Sequence, residues 1–161
     1  RIKIRPEAIG LQSRGMLTRQ SKMSLPPNMD DKIRKALTLL LAEDDDALRD
    51  TLLHFFSSEG FQVYAAGTGR EAIDIARNKK ISFSIMDIHL AGMNGIDVFQ
   101  SITREVGQMP CIFMSGDASP EVMEKALHAG AYTFLSKPIQ MELMRLSVER
   151  LICKFFREGG I

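Results

Sequence analysis

Short apolar runs alternate with amphipathic stretches from residue 36 onwards. The run ALTLLLA (36–42) is continuously apolar, as expected of a strand that is buried on both faces of a sheet. Four similar runs follow: FQVYAA (61–66), ISFSIMD (81–87), PCIFMS (110–115) and YTFLS (132–136). After each run, apolar residues recur at helical spacing, so the pattern predicts five βα units.

The predicted helices have recognisable ends. Asp45 or Asp46 can cap the first helix, and Thr68 with Glu71 forms a capping box at the start of the second. The third helix is IDVFQSITRE, and the fourth begins at Ser119-Pro120, where proline suits the first helical position. The fifth follows Pro138 and is expected to place one apolar face against the sheet: Met144, Val148, Leu151, Ile152 and Phe155.

Uninterrupted βα alternation predicts an α/β fold, in which a doubly wound, five-stranded parallel sheet carries helices on both faces. Right-handed crossovers are expected. In open sheets of this kind, sites form at the edge where the carboxyl ends of the strands meet. Residues that directly follow the predicted strands are therefore the candidates for chemistry.

Polar and charged side chains stand at four of these strand ends: Glu43 and Asp44, Asp87, Ser115, and Lys137. Alone, each has an ordinary interpretation as a helix cap, a turn residue or a surface charge. Together they would crowd carboxylates into one pocket, and like charges repel strongly there unless a cation lies among them. The conjunction therefore predicts a divalent cation and phosphate chemistry.

The candidate roles follow from the residue types. Asp87 can attack phosphorus and form an acyl phosphate. Mg²⁺, or Mn²⁺, would take oxygens from Asp44, Asp87 and the backbone carbonyl of His89, and Glu43 would hold a metal-bound water. Lys137 and Ser115 would bind the phosphoryl oxygens.

Charge is distributed unevenly between the two parts of the chain. Residues 1–35 carry nine Lys or Arg and three Asp or Glu, whereas residues 36–161 carry twelve and seventeen. The basic segment contains the Pro26-Pro27 pair and no sustained apolar period, so it is interpreted as a flexible arm or linker, with residues 36–161 forming the folded domain.

Cysteine usage and hydropathy indicate the compartment. Cys111 and Cys153 are far apart and lack metal-ligand spacing, as is typical of buried thiols in a reducing environment. No uncharged apolar stretch approaches the roughly 18–20 residues of a membrane span. The chain is expected to be cytoplasmic, with no membrane contact.

Four segments resemble the receiver domain of two-component response regulators. LLLAEDDDALRD is similar to the family's acidic first-strand motif, and FSIMDIHLAGMNGIDV to its phosphoacceptor segment, with Asp87 as acceptor. CIFMSGD places Ser115 as the switch hydroxyl, and GAYTFLSKPI places Phe134 as the switch aromatic and Lys137 as the family's lysine. The resemblance covers about residues 37–156.

That resemblance implies a flavodoxin-like (βα)5 fold with strand order 2-1-3-4-5, and a cis Lys137–Pro138 peptide bond. It also implies that a histidine kinase or histidine phosphotransfer protein donates a phosphoryl group to Asp87 in the presence of Mg²⁺. Ser115 and Phe134 would then rearrange and change the surface of helix 4, strand 5 and helix 5. His89 and Asp117 stand where the family tunes phosphoryl lifetime.

The output is expected to be a contact with an unknown downstream protein. No helix-turn-helix or other DNA-binding domain fits in the sequence given, so a stand-alone receiver or a fragment of a larger protein is expected. The fifth helix carries additional apolar residues, Leu143, Leu146 and Phe156. They are interpreted as cover for neighbouring helices, or alternatively as a homodimer surface formed with the fourth helix.

Two other functions fit parts of the pattern. A phosphatase of the haloacid-dehalogenase type also uses an Asp nucleophile and Mg²⁺, but it needs a second acid two residues later, where this chain has His89. A degenerate receiver that binds partners without phosphorylation is the second alternative. The predicted protein is a self-phosphorylating switch, which is not an enzyme apart from its own dephosphorylation.

Overall fold

The computed structural model describes residues 27–157, with side chains from residue 31 onwards. The helices are α1 Pro27–Ala36, α2 Asp46–Ser58, α3 Gly69–Asn78, α4 Gly95–Val106, α5 Pro120–His128 and α6 Met141–Ile152. The strands are β1 Thr38–Ala42, β2 Gln62–Ala66, β3 Phe83–Asp87, β4 His89–Leu90, β5 Met93–Asn94, β6 Cys111–Ser115 and β7 Thr133–Ser136. All five predicted βα units are present.

Five strands form one parallel sheet in the order β2-β1-β3-β6-β7. This is the predicted order 2-1-3-4-5, because the two-residue strands β4 and β5 pair with each other outside the sheet, in antiparallel register. The doubly wound, flavodoxin-like fold is thereby confirmed.

The sheet separates two apolar cores. Leu40 and Ala42 of β1 face one core, to which α3, α4 and α5 contribute. Leu39 and Leu41 face the other core, which α2 and α6 cover. Because both faces of the central strands are buried, these strands carry apolar residues on both faces rather than at alternate positions.

Side-chain caps fix where the helices begin. The Asp45 carboxylate accepts a hydrogen bond from the Leu48 N–H at 2.8 Å, which places the start of α2 as expected. Thr68 likewise accepts from the Glu71 N–H at 3.2 Å. The Glu71 carboxylate accepts from the Gly67 N–H instead of reaching back to the N–H of Thr68. The capping box is therefore completed one residue early.

The helix α1 is the main difference from the sequence analysis. The sequence analysis placed residues 27–35 in an arm without regular structure, whereas residues 27–36 form a helix. Ile33 packs against the core beneath α2 and α6, and Arg34 pairs with Glu59 at 2.7 Å and with Glu149 at 3.5 Å. One apolar residue, Ile33, is too weak a signal in the sequence to predict a helix that packs against the domain. Residues 1–26 lie outside the described residues, and the domain boundary remains a prediction.

The Arg34→Met variant tests how α1 is held. We expect the free energy of unfolding to fall by about 1 kcal/mol, because two partly exposed ion pairs are lost. Urea denaturation would measure it. Lys35→Met, at an exposed neighbouring position, is the matched control and should change little. An equal loss in both variants would contradict the role given to Arg34.

The end of the last helix also departs from the expected pattern. Met144, Val148, Leu151 and Ile152 are buried as predicted, but Phe155 is 42% exposed and stacks edge-to-face on Tyr132. The reason is a π-helical turn at Cys153–Arg157, whose wider winding rotates Phe155 out of the buried face. Within residues 27–157, no helix has the length and apolar character needed to cross a bilayer.

The two cysteines differ in accessibility. Cys111 is fully buried in β6, and burial raises the pKa of its thiol to about 12. Cys153 is only half-buried, contrary to the expectation of two buried thiols.

We therefore expect iodoacetamide at about pH 8 to alkylate Cys153 in the folded protein and to leave Cys111 unmodified, because the thiolate is the nucleophile. Peptide mass spectrometry with and without urea would measure this difference. Rapid labelling of Cys111 in the folded protein would contradict its placement.

Candidate functional site

The carboxyl ends of four neighbouring strands meet at one edge of the sheet. In the register of the strands, Ala42 lies opposite Met86, Asp87 opposite Met114, and Ser115 opposite Ser136. The residues that end or follow these strands are consequently brought to the same place, as the sequence analysis expected.

Asp87 is at the centre of this site, and its side chain is almost completely buried. Its Oδ1 accepts a hydrogen bond from the backbone N–H of His89 at 2.9 Å. Its Oδ2 accepts from the Lys137 ammonium at 2.5 Å. Asp87 itself is 3% exposed. Both carboxylate oxygens are therefore held in fixed directions at the floor of the pocket.

Glu43 is fully buried beside Asp87. Its Oε1 accepts from the Asp45 N–H at 3.0 Å. Its Oε2 lies 2.9 Å from the Lys137 ammonium as an ion pair, but without the alignment of a hydrogen bond, and no other described group bonds it. Burial raises the pKa of the Glu43 carboxyl, and the negative charge of Asp87 raises it further, against the opposing effects of the nearby Lys137 ammonium and the hydrogen bond from the Asp45 N–H.

Lys137 is the positive charge among these acids. Partial burial lowers the pKa of its ammonium, but the hydrogen bond to Asp87 and the close negative charges of Asp87 and Glu43 outweigh that effect and raise the pKa above its usual value. Lys137 therefore remains protonated at neutral pH and partly neutralises the pocket.

The acidic residues fit a divalent cation. One carboxylate oxygen from each of Glu43, Asp44 and Asp87 lies within 4.8 Å of the other two. Three carboxylates at this spacing repel one another, and Glu43 Oε2 is a buried acceptor that lacks a hydrogen bond. A set made of oxygen donors alone suits Mg²⁺ or Mn²⁺.

Ser115 and Phe134 lie next to the carboxylates on β6 and β7. Ser115 is fully buried, its hydroxyl accepts from the Asp117 N–H at 3.0 Å, and its carbonyl accepts from the Lys137 N–H at 2.8 Å. Phe134 is half-buried against the core that α3, α4 and α5 cover. The structure thus joins Ser115 directly to the strand end that presents Lys137.

His89 and Asp117 are both exposed, and each is two residues beyond a site residue, Asp87 and Ser115 respectively. The Asp117 carboxylate accepts from the backbone N–H of Ser119 at 3.0 Å, which holds the pKa of Asp117 below its usual value. The nearby imidazole of His89 contributes to the same lowering. In this conformation Asp117 is engaged with its own loop.

A sequence model of the response regulator receiver domain matches residues 39–149, which is more than half of the chain. The chain belongs to the receiver domain family. The strand order and the placement of the acidic pocket agree with this membership.

Solved receiver domains share the fold. The non-phosphorylated HemR receiver domain from Leptospira biflexa is 27% identical, with a TM-score of 0.68, over 72% of this chain and 94% of that chain. A receiver domain protein from Methanospirillum hungatei is 28% identical, with a TM-score of 0.66, over 71% and 93%. A protein in the CheX-CheY-BeF3-Mg²⁺ complex from Borrelia burgdorferi is 25% identical, with a TM-score of 0.68, over 72% of this chain and 89% of that chain.

Curated relatives are longer proteins that share only the receiver part. A cyclic di-GMP phosphodiesterase from Thermotoga maritima is 30% identical over 70% of this chain, which spans 30% of that relative. The cell cycle transcriptional regulator CtrA from Caulobacter vibrioides is 28% identical over 72% of this chain, which spans half of the regulator.

Two features of the backbone lie next to the site residues. The Lys137–Pro138 peptide bond is cis, as the resemblance implied. Gly95 packs so closely on β3 that a Cβ there would lie 1.9 Å from the carbonyl oxygen of Asp87. Its N–H donates to the Ile88 carbonyl at 2.6 Å, which closes the loop that carries β4 and β5.

Arg49 also lies at the site, although its position in the sequence does not single it out. Its guanidinium bonds the backbone carbonyl of Glu43 and the carboxylate of Asp46. The spacing to Asp46, three residues along a helix, is a usable signal. The bond from Arg49 to the main-chain carbonyl of Glu43 cannot be predicted from the sequence, because every residue has such a carbonyl.

Proposed function

We propose that this receiver domain is a phosphoacceptor switch that takes a phosphoryl group on Asp87 from a phosphohistidine. The donor is a histidine kinase or a histidine phosphotransfer protein. The observation that carries the proposal is the buried Asp87 carboxylate, bonded to Lys137 and grouped with the acids Glu43 and Asp44.

The chemistry is a single displacement at phosphorus. A carboxylate oxygen of Asp87 forms the new P–O bond, while the P–N bond to the donor histidine breaks and its electron pair leaves with the imidazole. The backbone N–H of His89 and the Lys137 ammonium hold the nucleophile in place. Lys137 and Ser115 are then positioned to bond the phosphoryl oxygens and balance their charge.

A divalent cation belongs to the proposal. Mg²⁺ or Mn²⁺ would be held by Glu43, Asp44, Asp87 and the backbone carbonyl of His89, with Glu43 acting through a water, and it would supply charge compensation for the phosphoryl group. The relative from Borrelia burgdorferi, which is described with Mg²⁺ and BeF3, supports this assignment.

The surface formed by α5, β7 and α6 is proposed to change on phosphorylation and to bind the downstream partner. Phosphorylation adds about two negative charges beside Ser115, and Phe134 is the half-buried side chain on β7 that can repack in response. Met123 and Leu127 on α5 and Leu143 and Leu146 on α6 are exposed apolar side chains. This surface fits a downstream protein or a second copy of the chain.

The domain is proposed to hydrolyse only its own aspartyl phosphate. His89 and Asp117 would tune how fast water removes the phosphoryl group, since both side chains are exposed and their backbone N–H groups bond Asp87 and Ser115. The phosphodiesterase activity named for the Thermotoga maritima relative belongs to a protein of which this chain spans 30%.

Incubation with acetyl phosphate and Mg²⁺ tests the proposal. We expect intact-mass analysis to show one labile phosphoryl adduct, and we expect the adduct to disappear when EDTA replaces Mg²⁺. No adduct with acetyl phosphate or with a phosphorylated histidine donor would indicate a degenerate receiver. Continuous turnover of a small phosphate ester would indicate a phosphatase instead.

A further inference from the structure

Arg49 bridges the two ends of the acidic loop at residues 43–46. One guanidinium nitrogen, Nη1, donates to the backbone carbonyl of Glu43 at 3.0 Å. The other, Nη2, pairs with the Asp46 carboxylate at 2.6 Å. The Arg49 side chain is 21% exposed, so it lies largely within the protein, whereas Asp46 is 86% exposed. The planar guanidinium therefore makes two directed bonds at once.

Three hydrogen bonds hold the backbone and one carboxylate oxygen of Glu43. Its N–H donates to the Ala66 carbonyl at 3.0 Å, and its Oε1 accepts from the Asp45 N–H. The bond from Arg49 to its carbonyl fixes the peptide plane that leads into Asp44. Asp44 is exposed and no described contact holds its side chain, so its direction depends on this backbone.

The guanidinium lies close to Gly67, in the loop that follows β2. A Cβ at Gly67 would stand 3.0 Å from Arg49 Nη1 and 3.4 Å from its Cζ. The Gly67 N–H donates to the Glu71 carboxylate at 2.8 Å, which fixes this loop against Arg49. The orientation of Arg49 is thus determined by packing as well as by its two acceptors.

We infer that Arg49 is a positioning residue for the divalent cation, because it sets the backbone from which Asp44 joins Glu43 and Asp87. The inference rests on the proposed function. The positioning role and the positive charge of Arg49 have opposite effects on cation affinity. A positive side chain next to a cation site weakens cation binding by repulsion, so a residue acting only through its charge should improve binding when removed.

Isothermal titration calorimetry of the purified chain with Mg²⁺ alone measures the affinity for the cation. It distinguishes a residue that positions the loop from one that acts only through its charge. For Arg49→Met we expect affinity to fall about tenfold, even though a positive charge is removed, because the loop loses its support. Arg49→Lys keeps the charge and the aliphatic stem but cannot span both acceptors, and it should also bind more weakly. Arg70→Met is the matched control for charge, since among the described residues Arg70 bonds nothing in the loop.

Amide NMR of Arg49→Lys supplies a second readout and covers the case in which Arg49→Met does not fold. Shifts should concentrate at residues 43–46 and 66–67 and leave β6 and β7 unchanged. Equal or tighter Mg²⁺ binding in Arg49→Lys, or shifts spread through the whole sheet, would overturn the inference. Failure of the wild-type chain to bind Mg²⁺ would instead remove the metal site of the proposed function.

Discussion

The Asp87→Asn variant is expected to form no phosphoryl adduct under conditions in which the wild-type chain is modified. The amide nitrogen is not a nucleophile, and the substitution removes the carboxylate that the His89 N–H and Lys137 hold in place. The expected loss is complete within the detection limit of intact-mass analysis. Acetyl phosphate with Mg²⁺ is the simplest donor for the measurement.

Asp50→Asn is the matched control, because Asp50 is an exposed aspartate on α2. It should be phosphorylated at the wild-type rate. An adduct that persists in Asp87→Asn would place the phosphoryl group on another acid, and Asp44 would be the first to examine by peptide mapping. Circular dichroism of both variants establishes that a lost adduct reflects chemistry and not unfolding.

Gly95→Ala is expected to damage both the stability and the chemistry of the site. A Cβ at this position would lie 1.9 Å from the Asp87 carbonyl oxygen and 3.0 Å from the Ile88 Cα, and both atoms belong to backbone that has no rotamer to change. We expect the free energy of unfolding to fall by about 3 kcal/mol or more. A displaced Asp87 should also be phosphorylated roughly a hundredfold more slowly.

Gly116→Ala provides the contrast for this experiment, since nothing lies within 4 Å of a Cβ at Gly116. It should unfold at the wild-type urea concentration or slightly above, because alanine restricts the unfolded chain. If Gly95→Ala is as stable as Gly116→Ala and accepts phosphate normally, the close packing of Gly95 on β3 does not determine the geometry of Asp87.

Sequence reasoning performed best where one physical rule acted over several residues. The central strands are mostly apolar because both of their faces are buried, and that made β1, β3 and β6 recognisable as apolar runs. Parallel strands then bring their carboxyl ends together, which was enough to group Glu43, Asp44, Asp87 and Lys137.

It was less successful where a single contact decided the outcome. Residues 27–36 form a helix that docks through Ile33 and Arg34, and neither side chain stands out in a basic, proline-containing segment. The second difficulty was a change in helical periodicity, which alters the side of the helix on which a residue lies. A π-helical turn after Ile152 moves Phe155 to the surface, whereas uninterrupted α-helical spacing would bury it.

The amino-acid sequence by itself determined the order of the elements and which acids stand at the strand ends, among them Asp87, the proposed phosphoacceptor. Hydrophobic period and position at a strand end can both be read from the identity of successive residues. Only the tertiary structure decided how these groups are held: the unbonded oxygen of Glu43, the engagement of Asp117 with Ser119 and the bridge made by Arg49. The first depends on the burial of Glu43 beside Lys137, which is distant in sequence. The other two depend on the direction of a backbone atom, and a main-chain atom is the same in every residue.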